Sequence, residues 1–92
     1  MEALEGAAIA QGLNAEAARL LSIQTALGAA RMAMESDESP AQLRKRVTSP
    51  GGTTERALGV LVDGGLEPLV KRAVSAARTR AQELSQLLGA DA

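Results

Sequence analysis

Apolar positions recur at helical spacing along five stretches of the chain, and punctuating residues separate them. Residues 2–11 predict a short helix closed by Gly12, a residue suited to the position just past a helix end. Asn14 predicts the cap of a second helix, with Glu16 at its positive dipole end. That helix runs from about Ala15 to Glu35, roughly 30 Å long at the usual rise. Leu20, Ile23, Leu27, Ala30 and Met34 form one stripe on it; Leu21, Gly28 and Met32 lie on another. Its polar residues (Arg19, Ser22, Gln24, Thr25, Arg31) are scattered. A helix apolar on most sides is a buried helix. A 92-residue chain offers too little else to surround it. A partner subunit on the second face resolves the shortfall, and Gly28-Ala29-Ala30 would let another helix approach closely.

The polar run from Ser36 to Ser39 breaks the pattern. Ser39-Pro40-Ala41-Gln42 restarts it with a full capping box, the proline at the first helical position. This short helix ends near Arg46. Val47-Thr48-Ser49-Pro50-Gly51-Gly52-Thr53-Thr54 follows, and Pro-Gly-Gly cannot be helix interior. Thr53 or Thr54 is expected to cap a helix running to about Asp63, ended by Gly64-Gly65. Pro68 is expected to open the last helix at its first position, with the helix reaching about Leu88 before Gly89. Its stripe is Leu69, Ala73, Ala77, Ala81, Leu84 and Leu88, leaving one wet face.

Composition sharpens this picture. Hydrophobic residues make up 46% of the chain, yet it has no Phe, Trp or Tyr. Ala and Leu dominate and β-branched residues are few, which argues for an all-α fold with closely approaching backbones. A single domain of this size buries only about 60–65% of its unfolded surface, and oligomerisation is a common remedy. The charge is balanced, 10 Lys plus Arg against 11 Asp plus Glu. With no basic excess and no aromatic for base stacking, nucleic-acid binding is not expected. The lack of Cys and His excludes disulfides, thiolate chemistry, the usual zinc sites and histidine acid–base catalysis. No uncharged apolar run is long enough for a transmembrane helix, and Glu2 and Glu5 stand where a signal peptide would be basic, so no membrane association is expected. Met1 to Glu5 carries no cap residue ahead of its helix, which suggests a piece of a longer protein.

Only the loop from Ser49 to Thr54 has a chemical look. Its two glycines open backbone conformations closed to other residues. The loop leads into a helix whose first N–H groups are unpaired and whose dipole end is positive. Ser49, Thr53 and Thr54 add hydroxyls. Together these suit a small anion such as a carboxylate. A plain capped turn is the commoner meaning of the same residues. No Gly-Lys-Ser/Thr ending is present, so the loop is not a P-loop.

The segment Val47 to Thr54, followed by Ala57-Leu58, resembles the signature of pyrroline-5-carboxylate reductases. The resemblance extends along the chain. Gln24-Thr25-Ala26-Leu27-Gly28-Ala29-Ala30-Arg31-Met32 looks like the family's long central helix, and Ser39-Pro40-Ala41-Gln42-Leu43 like its approach to the signature loop. Gly64-Gly65-Leu66 and Ala73-Val74-Ser75-Ala76-Ala77 look like parts of its last helix. The resemblance implies one helical domain over residues 1–92, an interlocked dimer of the 6-phosphogluconate-dehydrogenase C-terminal-like type. In such enzymes a Rossmann domain comes first and holds NADPH or NADH, and hydride passes to the C=N carbon of pyrroline-5-carboxylate, giving proline. Neither the Gly-x-Gly-x-x-Gly fingerprint nor the family's Ser-Gly-x-Gly-Pro-Ala-Tyr segment occurs here. The resemblance therefore implies half of a substrate site, no bound cofactor, no metal and no turnover by these residues alone. It places the substrate carboxylate on the Ser49 hydroxyl and the Gly52 and Thr53 N–H groups, with Gly51 permitting the loop's shape. Thr54, as the catalytic residue, would turn its hydroxyl to the ring nitrogen. It further implies a homodimer, open to higher assembly, in the cytoplasm, with an imino acid or proline as ligand.

A reading of a different class is a helical homodimer, isolated or engineered, that serves as a scaffold without a reaction. Arg44-Lys45-Arg46 could steer an anion, but a solvated basic helix end accounts for it. Met32 and Met34 are expected to pack rather than bind a ligand, and Arg78 and Arg80 to lie on the surface.

Overall fold

A computed structural model describes residues 1–90 as five helices: α1 (Glu2–Ala10), α2 (Ala15–Glu35), α3 (Pro40–Arg46), α4 (Thr53–Asp63) and α5 (Leu66–Ala90). Among the described residues there is no strand, as the apolar spacing and the Ala/Leu-rich composition require. The chain divides into two compact units, Met1–Val47 and Thr48–Ala92.

In the first unit, α1 packs on α2. The connection between them is a glycine-ended helix stop. Gly12 adopts φ +106°. The Gly12 N–H donates to the Ile9 carbonyl at 2.9 Å, and the Leu13 N–H to the Ala8 carbonyl at 3.2 Å. This is the Schellman pattern, in which two otherwise orphaned carbonyls are satisfied at the C-terminus. Asn14 then starts α2, its side-chain oxygen accepting from the Ala17 N–H at 2.9 Å.

What α2 buries in its own chain is small rather than large. Ala18 and Ser22, one turn apart, are its buried residues. The Ser22 hydroxyl donates to the Ala18 carbonyl at 2.8 Å, so burial leaves it satisfied. Leu20, Leu21 and Leu27 are about half exposed, and Met34 is 86% exposed. Among the described residues, the leucines of both α2 stripes thus stay uncovered, and of the first stripe only Ile23 is half-buried. Met34 has no packing within its own unit.

The third helix is a short one held at both ends. Ser39 accepts from the Gln42 N–H at 3.2 Å, while the Gln42 side chain accepts from the Ser39 N–H at 2.8 Å. Pro40 is its first residue. Leu43 is buried. Glu38, one residue ahead of the cap, forms an ion pair at 3.0 Å with Arg46, the last residue of the helix. The Val47 N–H closes the final turn on the Leu43 carbonyl at 3.3 Å.

The second unit is a pair of packed helices, α4 and α5. Gly65, at φ +80°, ends α4 by donating its N–H to the Val62 carbonyl at 3.0 Å. Two sequence expectations are corrected here. The cap of α4 is Gly52, and Thr53 is already its first helical residue. The last helix opens at Leu66, two residues ahead of Pro68, and continues through Gly89. Pro68 tolerates this because the first N–H groups of a helix have no intrahelical partner, so the one it lacks is not missed. The first bond of α5 runs from the Leu69 N–H to the Gly65 carbonyl at 3.0 Å. Glu67 with Lys71 (3.7 Å) and Arg80 with Glu83 (3.0 Å) form exposed ion pairs along it, and Arg78 and Arg80 lie on the surface as expected.

No described residue of this second unit is buried, and residues 66–89 are all exposed. Across the chain, 20 of the 23 Leu, Val, Ile and Met residues are exposed; Leu43 is buried, and Ile23 and Leu58 are half-buried. Scattered apolar residues on a surface need no explanation, but nearly all of them together do. None of the helices is long and apolar enough to cross a membrane among the described residues.

Candidate functional site: the turn before the fourth helix

The segment from Ser49 to Thr54 folds as a tight turn leading directly into α4. The Gly52 N–H donates to the Ser49 carbonyl at 3.0 Å. Pro50 occupies the second position of this turn, and Gly51 the third, at φ +72°. Proline followed by a residue of positive φ is the pattern of a type II turn, in which the third position favours glycine. Gly52 is then the cap of α4, at φ −85° and ψ 177°. A Cβ on Gly52 would meet the Ser49 carbonyl oxygen at 3.1 Å, so its lack of a side chain lets turn and helix meet closely.

The cap has a chemical consequence. Asn14 and Ser39 each fill the N-terminus of their helix with a side-chain oxygen; Gly52 supplies none, and α4 has no side-chain cap. Its first intrahelical bond runs from the Arg56 N–H to the Gly52 carbonyl at 3.3 Å. The N–H groups of Thr53, Thr54 and Glu55 precede that bond, where a helix leaves its donors unpaired. The dipole adds positive potential at the same point. Glu55, an exposed carboxylate in the first turn, is favourably placed against that dipole. Ser49, Gly51, Thr53 and Thr54 are exposed, and Gly52 is half-buried.

All five residues singled out in the sequence thus lie on one continuous turn and helix start. Gly51 has a left-handed backbone. The Gly52 N–H, expected to point at a ligand, instead closes the turn on Ser49. That bond was not readable from residue types alone. Among the described residues no group of three acidic side chains is placed to hold a metal ion.

The family model for pyrroline-5-carboxylate reductase dimerisation matches residues 1–84. The chain belongs to the pyrroline-5-carboxylate reductase dimerisation family. A pyrroline-5-carboxylate reductase of Pseudomonas aeruginosa is 49% identical over 89 residues, covering 97% of this chain and 33% of the relative. Pyrroline-5-carboxylate reductase 3 of Xenopus laevis is 45% identical over 92% of this chain and 31% of its own length. Among solved structures, a pyrroline-5-carboxylate reductase from Coxiella burnetii matches with a TM-score of 0.86 and 57% identity, over 90% of this chain and 31% of that one. The pyrroline carboxylate reductase of Plasmodium falciparum, solved with NADP bound, matches with a TM-score of 0.83 and 34% identity, over 86% of this chain and 31% of that one. The chain therefore spans about a third of the length of these relatives. This is a dimerisation domain of the reductase family, all-helical, and the unreactive-scaffold reading is not favoured.

Proposed function

We propose that this chain is the dimerising and substrate-binding part of a cytoplasmic enzyme that reduces 1-pyrroline-5-carboxylate to L-proline with NADPH or NADH. Two copies pair through the apolar faces that each leaves exposed. The turn from Ser49 to Thr54 receives the carboxylate of the imino acid. The single observation carrying this reading is the open N-terminus of α4, capped by a glycine and set behind a closed turn.

The division of labour follows from the bonds already made. Because the Gly52 N–H closes the turn, the carboxylate falls to the N–H groups of Thr53 and Thr54, with the Ser49 hydroxyl as a further donor. Gly51 and Gly52 shape the turn. The Thr54 hydroxyl would then face the ring nitrogen. The described residues hold no strand-to-helix turn for a dinucleotide, so the cofactor would sit on a separate nucleotide-binding domain and supply the hydride. These residues would contribute by fixing the imine in place, which lowers the barrier through orientation.

Titration of the 92-residue chain with L-proline, followed by the amide resonances, tests this. Saturable shifts centred on Thr53 and Thr54, with Asn14 and Ser39 unmoved, are the expected result. Resonances that stay in place up to saturating proline would remove the carboxylate site from this turn.

A further inference from the structure

The third residue of α4 is an acid, Glu55. In α3 the same position is held by Gln42, whose side chain reaches back to within 2.8 Å of the N–H of its cap residue, Ser39. That reciprocal bond is what an acid or amide three residues past a cap commonly makes. It is closed to Glu55. The N–H of its own cap, Gly52, already donates to the Ser49 carbonyl, and no side-chain bond caps α4. Glu55 is exposed, and among the described residues its carboxylate takes part in no hydrogen bond or ion pair. An unpartnered negative charge therefore stands within a side chain's reach of the cap. On the reading above, the donors for the substrate carboxylate lie at that same point.

For a bare anion this is the wrong charge. It suits the helix dipole, but it repels an incoming carboxylate over the same short distance. The ligand of the reaction proposed above is not a bare anion. Proline carries a protonated ring nitrogen beside its carboxylate, and the imine carries the same positive charge once protonated. Amide donors for one end and a carboxylate for the other match that pair of charges.

We propose that Glu55 is a specificity-determining residue of this site, admitting zwitterionic cyclic amino and imino acids in preference to plain carboxylic acids. This rests on the substrate-site reading above. Thr54 would bond the ring nitrogen, and Glu55 would read its charge. Glu55 acts on discrimination more than on affinity. For a zwitterion, its repulsion of the carboxylate is offset by its attraction to the nitrogen. For an acid without nitrogen only the repulsion remains, so selectivity comes from disfavouring the wrong ligand.

Cyclopentanecarboxylate has the ring and carboxylate of proline with carbon in place of nitrogen. The test compares its Kd with that of L-proline on the 92-residue chain as wild type, Glu55→Gln and Glu55→Asp. The wild type should prefer proline. Glu55→Gln should tighten cyclopentanecarboxylate but not proline, so that the preference falls about two- to five-fold, the range for one exposed charge interaction. Glu55→Asp keeps the charge on a shorter arm and should retain part of the preference. Added salt should shrink the wild-type preference and leave that of Glu55→Gln unmoved. Equal tightening of both ligands in Glu55→Gln would mean that the charge acts on the carboxylate alone, and would overturn the proposal. So would an unchanged ratio of the two Kd values. A wild-type chain that binds neither ligand sinks the substrate-site reading itself, and the role of Glu55 with it.

Discussion

The Ser49 carbonyl accepts the Gly52 N–H at 3.0 Å, so the turn is closed before the fourth helix begins. One consequence is that the amide donors this reading leaves for the carboxylate, those of Thr53 and Thr54, lie on the helix itself. Another is that the turn's shape depends on the residue between Pro50 and Gly52.

That residue is Gly51, at φ +72° with open space around it. Gly51→Ala therefore isolates backbone strain from steric clash. It should destabilise the turn by about 1–2 kcal/mol, the usual penalty for a left-handed L-residue. Denaturant unfolding together with proline titration would register the loss. Equal stability would mean that the turn can be rebuilt at negative φ.

Gly52→Asp would place a carboxylate over the unpaired donors of α4. Aspartate is a good cap, so the helix can gain what the 3.1 Å approach to the Ser49 oxygen costs. The affinity for proline should nonetheless vanish, because the donors are occupied and the charge is alike. Calorimetric titration checks this directly, and retained binding would argue that the carboxylate sits elsewhere.

Asn14→Ala removes the cap of α2, whose side chain accepts at 2.9 Å from Ala17. A loss of about 1 kcal/mol in unfolding free energy is expected. Proline affinity should stay unchanged, which makes this variant a control for stability effects at the turn.

Leu27 is 47% exposed within its own chain. On a true monomer surface Leu27→Asp would shift stability by no more than about 0.5 kcal/mol. Buried between two copies, the new charge would be costly and would split the pair. Light scattering should find a two-chain mass for the wild type and none for the variant. A variant that stays dimeric would take Leu27 out of the contact.

Thr54→Val keeps size and removes the hydroxyl. The fold should survive, since no side chain caps α4 and Thr54 is exposed. In a full-length enzyme carrying this domain, a loss in kcat/KM with unaltered thermal stability is expected. Unaltered kinetics would take the Thr54 hydroxyl out of the reaction.

Much of this was legible in the sequence, for local reasons. Asn14 fixed the start of α2, and the Ser39-Gln42 box fixed that of α3, because caps act within four residues. Gly12 read correctly because a left-handed helix stop depends on one residue. The misses have equally local causes. Thr53 or Thr54 was read as the cap because threonine often serves there, but the closed turn already makes Gly52 the cap. Pro68 was read as a first residue, although it fits anywhere among the unpaired donors. The turn residues themselves were visible as types, while the direction of the Gly52 N–H depended on three-dimensional closure. Burial was the hardest to read. The sequence marked the leucine stripes of α2, and the structure covers Ala18 and Ser22 instead.

The near-bare apolar surface of each chain, with Ala18 and Leu43 the only buried hydrophobic residues among those described, also changes what stability means for this protein. When those faces are covered only by a second copy, folding and pairing become one bimolecular reaction and obey mass action. Each tenfold dilution then costs about 1.4 kcal/mol. No single melting temperature describes such a chain; it has a curve of them, one for every concentration.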